Sequence, residues 1–242
     1  MNSATVFYQH HPDIELILHV ADAINKSIRC ESNIHPDILD PYKVNGFTGL
    51  GFRHFLNNVG AYEGINYLEV GTFCGSSLIS VLYNNLDKIS SAYAMDNWSE
   101  FSEYLDPKKT FEMKVEKYLP SLENKLTFYN EDCFSFDKKK IKHKINLYFY
   151  DGPHSRKDHE MAFTYFDDVL DDTFIAIIDD WEKGYVREAS LTTFDKLNYT
   201  ILASWQILPP ERENKIENPD INWWHGSFVA VIKKMKHLNV PL

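Results

Sequence analysis

The sequence predicts an α/β fold: a seven-stranded, mostly parallel sheet with helices on both faces, an antiparallel last strand and an N-terminal helical cap. Three observations carry that reading. From about residue 64, short β-type runs alternate with longer helical ones, the rhythm of βαβ crossovers. Several runs, such as Phe174-Ile175-Ala176-Ile177-Ile178, are apolar at every position, as befits a strand buried on both faces. The last two runs are joined by a connection with Pro209, Pro210 and Pro219 and no helical period, which suits an antiparallel pair.

The elements follow in order. Ile14, Ile17, Leu18, Ala21, Ile24 and Ile28 recur at helical steps after Pro12, so a helix starts there. His35 to Tyr42 reads as loop, and Thr48 to Asn58 as a second short helix ended by Gly60. The strand runs are Ile65 to Val70, Ser91 to Met95, Leu126 to Tyr129, Ile145 to Tyr150, Phe174 to Ile178, Tyr199 to Leu208 and Ser227 to Ile232. Helices are expected to begin near Ser76, Lys108, Phe134 and Lys157. The last of these carries Met161, Ala162, Tyr165, Phe166, Val169 and Leu170 along one face. No repeat or long linker divides the chain, so one domain over 1–242 is expected, with 1–60 as the cap and 61–242 as the α/β core.

Composition narrows the function. The 242 residues carry 25 Lys+Arg against 35 Asp+Glu, a formal charge of −10. That balance disfavours binding to a phosphate backbone, where affinity comes from Lys and Arg displacing counterions, so no nucleic-acid partner is expected. No apolar stretch is long enough for a membrane span, and the N-terminus lacks a basic segment followed by an apolar one, so a cytoplasmic protein is expected. Cys30, Cys74 and Cys133 are too few and scattered for a disulfide framework or a four-ligand zinc site.

In an open parallel sheet, ligands bind beyond the carboxyl ends of the strands, so the residues just after each run are the candidates. The first run ends in Glu69 and leads through Gly71, Thr72 and Gly75 to Ser76 and Ser77. Glycine permits a tight turn and close approach of a ligand to the backbone, and the helix start offers unpaired N–H groups. The second ends in Asp96-Asn97-Trp98, where an acid can accept two ribose hydroxyls and an indole can stack on a purine. The third ends in Glu131-Asp132-Cys133, where an acid can accept from an exocyclic amine. After the fourth comes Asp151-Gly152-Pro153-His154, and after the fifth Asp179-Asp180. Carboxylates converging there would raise each other's pKa unless a cation or a basic group compensates; a hard divalent ion is one solution.

These segments resemble the class I S-adenosylmethionine-dependent methyltransferases. Tyr67-Leu68-Glu69-Val70-Gly71-Thr72-Phe73-Cys74-Gly75 looks like their first motif, Ala94-Met95-Asp96 like the second, and Glu131-Asp132-Cys133 matches the third position. The likeness covers about residues 60 to 235 and implies a Rossmann-like fold. It further implies S-adenosyl-L-methionine contacts through Glu69, Gly71, Thr72, Gly75, Ser76, Ser77, Asp96, Asn97, Trp98, Asp132, Cys133 and Asp151. The Asp151-Gly152-x-His154 segment and the Asp179-Asp180 pair look like a metal-dependent O-methyltransferase branch. That implies Mg²⁺ on Asp151, Asp179 and Asp180 and a small-molecule methyl acceptor. Imidazole chemistry near the working pH and its place after the Asp151 strand end make His154 the expected base, with Asp151 beside it in the catalytic set. The N-terminal cap is the surface through which a homo-oligomer would form. Two other classes stay open: another α/β enzyme with a nucleotide cofactor, against which the absence of G-x-G-x-x-G counts, and a catalytically silent binding protein of the same fold.

Overall fold

Runs rich in Ile, Val, Tyr and Phe form the seven strands β1 (Ile65–Val70), β2 (Ile89–Met95), β3 (Leu126–Tyr129), β4 (Ile145–Tyr150), β5 (Leu170–Ile178), β6 (Tyr199–Ile207) and β7 (Ser227–Lys234). The computed structural model describes residues 11–100, 106–122, 124–210 and 221–235. Pro219 of the last connection lies outside them. The strand order is β3-β2-β1-β4-β5-β7-β6. The first five strands pair in parallel, and β7 runs antiparallel to both β5 and β6. The expected mixed sheet and its reversed final strand are therefore present.

Period-two alternation sends successive side chains to opposite faces, and each face has its own core. Tyr67, Ala94, Phe149, Ile177 and Val229 pack against Val20 of α1 (Pro12–Ile28), Phe55 of α3 (Leu50–Val59), Leu78 of α4 (Ser76–Leu82) and Phe111 of α5 (Pro107–Tyr118). Leu68, Met95, Tyr148, Ile178 and Phe228 meet Phe163 of α6 (Arg156–Thr164) and Phe194 of α7 (Gly184–Lys196). Burying each such side chain fully contributes roughly 1.5–3 kcal/mol. The N-terminal helices thus share a hydrophobic cluster with the sheet.

Four local expectations need correcting. No α-helix starts at Phe134: Asp132 accepts from the N–H groups of Phe134 and Ser135, holding a turn, and only a 3-10 turn follows at Lys138–Lys140. The helical face expected to run from Met161 to Leu170 stops at Thr164, because Leu170 opens β5 and pairs with Ile145. A one-turn helix, α2 (Pro36–Leu39), stands in the segment read as loop. Helix α7 lacked a sequence signal because much of its buried face is Ala189, Ser190 and Thr193, small or hydroxyl-bearing side chains that give a weak apolar period.

The sequential order of the strands breaks between β1 and β4, the switch point where a parallel sheet opens a crevice. Backbone bonds hold the strand exits there in register. Asp96 N–H donates to Tyr129 O (3.1 Å), Gly71 N–H to Met95 O (3.0 Å), Asp151 N–H to Val70 O (2.9 Å) and Asp179 N–H to Tyr150 O (3.2 Å). Acids at the ends of separate strands thereby face one crevice.

Candidate active site

A cavity of about 460 Å³ opens over these exits, within the usual range for small-molecule sites. Gly71, Thr72, Ser76, Ser77, Asp96, Asn97, Asp132, Cys133, Asp151, His154, Asp179 and Asp180 all line it. Three of the expected contacts do not. Glu69 is fully buried behind the wall, where Tyr67 Oη donates to one carboxylate oxygen and Ser77 Oγ to the other at 2.7 Å. Burial pushes its pKa up to about 7. Gly75 sits at φ +82, and a Cβ there would lie 2.8 Å from Phe111 Cδ2, so it serves helix packing. Trp98 lies over Phe128 with ring centroids 4.6 Å apart and donates Nε1–H to Phe73 O at 3.0 Å, so its indole joins the core cluster of that face.

Gly71 lines the cavity, but its backbone conformation has a cause other than room for a ligand. At φ +88, its missing Cβ would fall 1.9 Å from Asp151 O. The exits of β1 and β4 touch there, and only glycine permits it.

Asp96 ties two loops together: its oxygens accept from Phe73 N–H at 2.7 Å and Trp98 N–H at 2.6 Å. Burial raises its pKa despite those bonds. Asn97 accepts from Ser99 N–H at 3.0 Å, and Cys133 is a buried thiol pushed up to about 12 by desolvation. Thr72 Oγ1 is buried without a hydrogen-bond partner.

The N-terminal segment reaches this cavity through Gly46, Phe47 and Thr48. Thr48 Oγ1 and Ser76 Oγ are 2.9 Å apart. The segment is held by Arg53, a fully buried guanidinium that donates to the carbonyls of Thr48 (3.0 Å), Ile38 (2.6 Å) and Val44 (3.0 Å). Burial lowers its pKa to about 10. Phe47 in turn stacks on Phe73 at 5.5 Å and lies 5.7 Å from Trp224.

On the opposite wall, Asp151 and Asp179 are hydrogen-bonded to each other and half-buried. Burial, then the neighbouring carboxylates, hold Asp151 well above the usual carboxylate range; burial and Asp180 push Asp179 up to about 7. His154 stands between acids, with Nε2 3.6 Å from Asp151 Oδ1 and Nδ1 3.6 Å from Asp180 Oδ2. Its Nδ1 is buried without a hydrogen-bond partner, and desolvation lowers its pKa. Among the described residues, Asp151, His154 and Asp179 bring ligand atoms within 4.8 Å of one another. Asp180, expected as the third ligand, instead accepts from Lys183 Nζ.

Residues 68–181, the stretch that contains all of these strand exits from β1 to β5, match a family model described as a methyltransferase domain. The matched stretch is a methyltransferase domain. No curated protein matches the chain by sequence. Solved structures show what its fold is similar to. An S-adenosylmethionine-dependent O-methyltransferase from Thermotoga maritima superposes with TM-score 0.53 at 12% identity, covering 89% of this chain and 72% of that chain. TrmK of M. capricolum, in complex with S-adenosyl-homocysteine, gives 0.51 at 19%, covering 76% and 71%. A magnesium protoporphyrin IX methyltransferase from Synechocystis PCC 6803 with bound cofactor gives 0.51 at 10%, covering 95% and 100%. The chain shares their fold.

Proposed function

We propose that this chain is an S-adenosylmethionine-dependent methyltransferase that places a methyl group on a hydroxyl oxygen of an uncharged, ring-bearing small molecule such as a sugar or a phenol. The observation that carries the reading is the meeting, in one cavity, of the loop after β1 with the Asp151, His154 and Asp179 cluster. The residues fit the cofactor. Thr72 Oγ1 is a buried polar atom with no protein partner on the cavity wall, and Asp96 stands at the β2 exit where the ribose hydroxyls would be accepted. When bound, S-adenosylmethionine supplies a methyl group on a positively charged sulfur. Gly71, Thr72, Ser76 and Ser77 are proposed to hold its methionine end, and Asp96, Asn97, Asp132 and Cys133 the nucleoside.

The charge of the cavity supports a small acceptor. Among the described residues its carboxylates include Asp96, Glu100, Asp132, Asp151, Asp179 and Asp180, against a single Lys183 that is already engaged by Asp180. Such a wall suits a cationic cofactor and repels a phosphate backbone. Phe47 and Trp224 offer flat faces on which an uncharged ring can lie.

Asp151 and His154 are proposed to meet the acceptor hydroxyl and aim its oxygen, the near-attack placement that can supply roughly 7–11 kcal/mol in well-oriented systems. Two carboxylates and an imidazole within 4.8 Å of one another also suit a hard divalent ion such as Mg²⁺, which would take the place of the proton shared by Asp151 and Asp179 and lower the hydroxyl pKa. Both nitrogens of His154 face carboxylates, so its proposed role is orientation and ligation, with proton removal left to another group.

The test is transfer of labelled methyl from S-adenosylmethionine to a panel of phenols, sugars, amines and RNA, with the labelled atom located by mass spectrometry. Label on oxygen of an uncharged ring supports the reading; label confined to nitrogen or RNA contradicts it. Activity lost in excess EDTA and restored by Mg²⁺ is the expected metal dependence. Full activity in EDTA would leave Asp151, His154 and Asp179 as an orienting cluster that needs no metal.

A further inference from the structure

A second imidazole faces the same cavity, and its surroundings differ from those of His154. His225 lies in the turn that leads into β7, and its Nδ1 is 2.6 Å from Glu182 Oε1. Both side chains are largely buried, at 16% and 10% exposure. An ionised carboxylate only accepts hydrogen bonds, so Nδ1 carries the hydrogen and the lone pair is left on Nε2. That nitrogen has no protein partner among the described residues, whereas His154 turns both of its nitrogens toward carboxylates.

The backbone repeats the lock. Glu182 N–H donates to His225 O at 3.1 Å, and Trp181 N–H to Gly226 O at 3.2 Å. Gly226 adopts φ +78, and a Cβ there would stand 2.6 Å from Ile207 O, so the turn is fixed against the end of β6 as well. The ring is therefore oriented by the exit of β5, the entrance of β7 and a carboxylate behind it. One nitrogen held, the other without a protein partner among the described residues, on a ring that lines the cavity: that is the arrangement a general base needs.

We propose that His225, oriented by Glu182, is the base that takes the proton of the methyl acceptor. The proposal rests on the reading of the cavity as a hydroxyl-methylating site. As the acceptor oxygen forms its bond to the methyl carbon, the bond from that carbon to sulfur breaks and its electron pair stays on sulfur. The hydroxyl proton passes to Nε2 of His225, and the imidazolium then releases it to water at the cavity mouth. Glu182 stabilises the cation formed in between and is a positioning residue.

Two measurements test this, the first needing no acceptor. Nitrogen NMR of the histidine rings should show one imidazole, absent in His225→Gln, held as the Nδ1–H tautomer, and Glu182→Gln should release it to a mixture. An Nε2–H tautomer, or indifference to Glu182→Gln, overturns the dyad. With the best acceptor found in the panel above, His225→Ala should lower kcat by about 100-fold or more, with partial recovery on adding imidazole. Affinity for S-adenosyl-homocysteine, measured by calorimetry, should stay unchanged. A fall in kcat of less than about threefold, or a large fall that added imidazole leaves untouched while the fold is intact, overturns the assignment. Wild-type binding of S-adenosyl-homocysteine is measured alongside, so a failure of the cofactor reading shows there and not in the histidine.

Discussion

At the scale of single residues, Glu69 shows how a strand-end acid can serve the fold while its neighbours line the cavity. It sits one residue before the β1 exit, fully buried, and accepts from Tyr67 and Ser77. Its pKa is raised from 4.5 to about 7, chiefly by burial, so in that window the folded state holds a proton that the unfolded chain has released. Its contribution to stability is complete below about pH 4.5 and is lost as pH rises through about 7, amounting to about 3 kcal/mol. Glu69→Gln should flatten this part of the stability profile, measured by urea denaturation from acid to neutral pH. An unchanged slope would show that Glu69 is ionised in the fold. The acids themselves were legible from sequence because each ends an apolar run. Which ones face the cavity was not, since Glu69 and Asp96 differ only in the side of the wall on which the side chain falls. The Glu182–His225 contact spans 43 residues and left no local signal.

Among the elements, the strand exits and the segment before α3 decide the shape of the cavity. Gly71→Ala would place a methyl 1.9 Å from the Asp151 carbonyl, forcing the β1 and β4 exits apart. The expected loss is about 2 kcal/mol or more, together with weakened cofactor binding. Gly64→Ala is the control: its φ is +80 but nothing lies within 4 Å, so only the backbone cost of about 1 kcal/mol should appear. Equal effects of the two changes would remove the steric account of Gly71. Arg53→Met should leave the carbonyls of Ile38, Val44 and Thr48 without their donor, costing about 3 kcal/mol or more by urea denaturation. Because those carbonyls anchor the segment bearing Phe47 and Thr48, affinity for S-adenosyl-homocysteine should fall with it; stability and affinity both unchanged would mean that the guanidinium holds nothing. The sheet was legible because β-type apolar runs and period-two alternation are local. Arg53 was not, because a buried cation paired only with carbonyls has no charged partner to find in the sequence.

For the whole molecule, seven strands in the order β3-β2-β1-β4-β5-β7-β6 gather acids from four parallel exits into one crevice, with no helix among the described residues long and apolar enough to cross a membrane. The rhythm of the chain gave away that architecture, while α7, whose buried face is largely small or hydroxyl-bearing, depended on packing between distant parts. The central claim is that this cavity is built for S-adenosylmethionine. Titration calorimetry with S-adenosyl-homocysteine tests it most directly, with NAD as the comparison ligand and Asp96→Ala beside the wild type. The account predicts one molecule bound per chain, no heat with NAD, and a loss of about 1.5–3 kcal/mol in binding for each charge-assisted hydrogen bond that Asp96→Ala removes. No binding of S-adenosyl-homocysteine to the folded wild-type chain, or an affinity indifferent to Asp96→Ala, would contradict it.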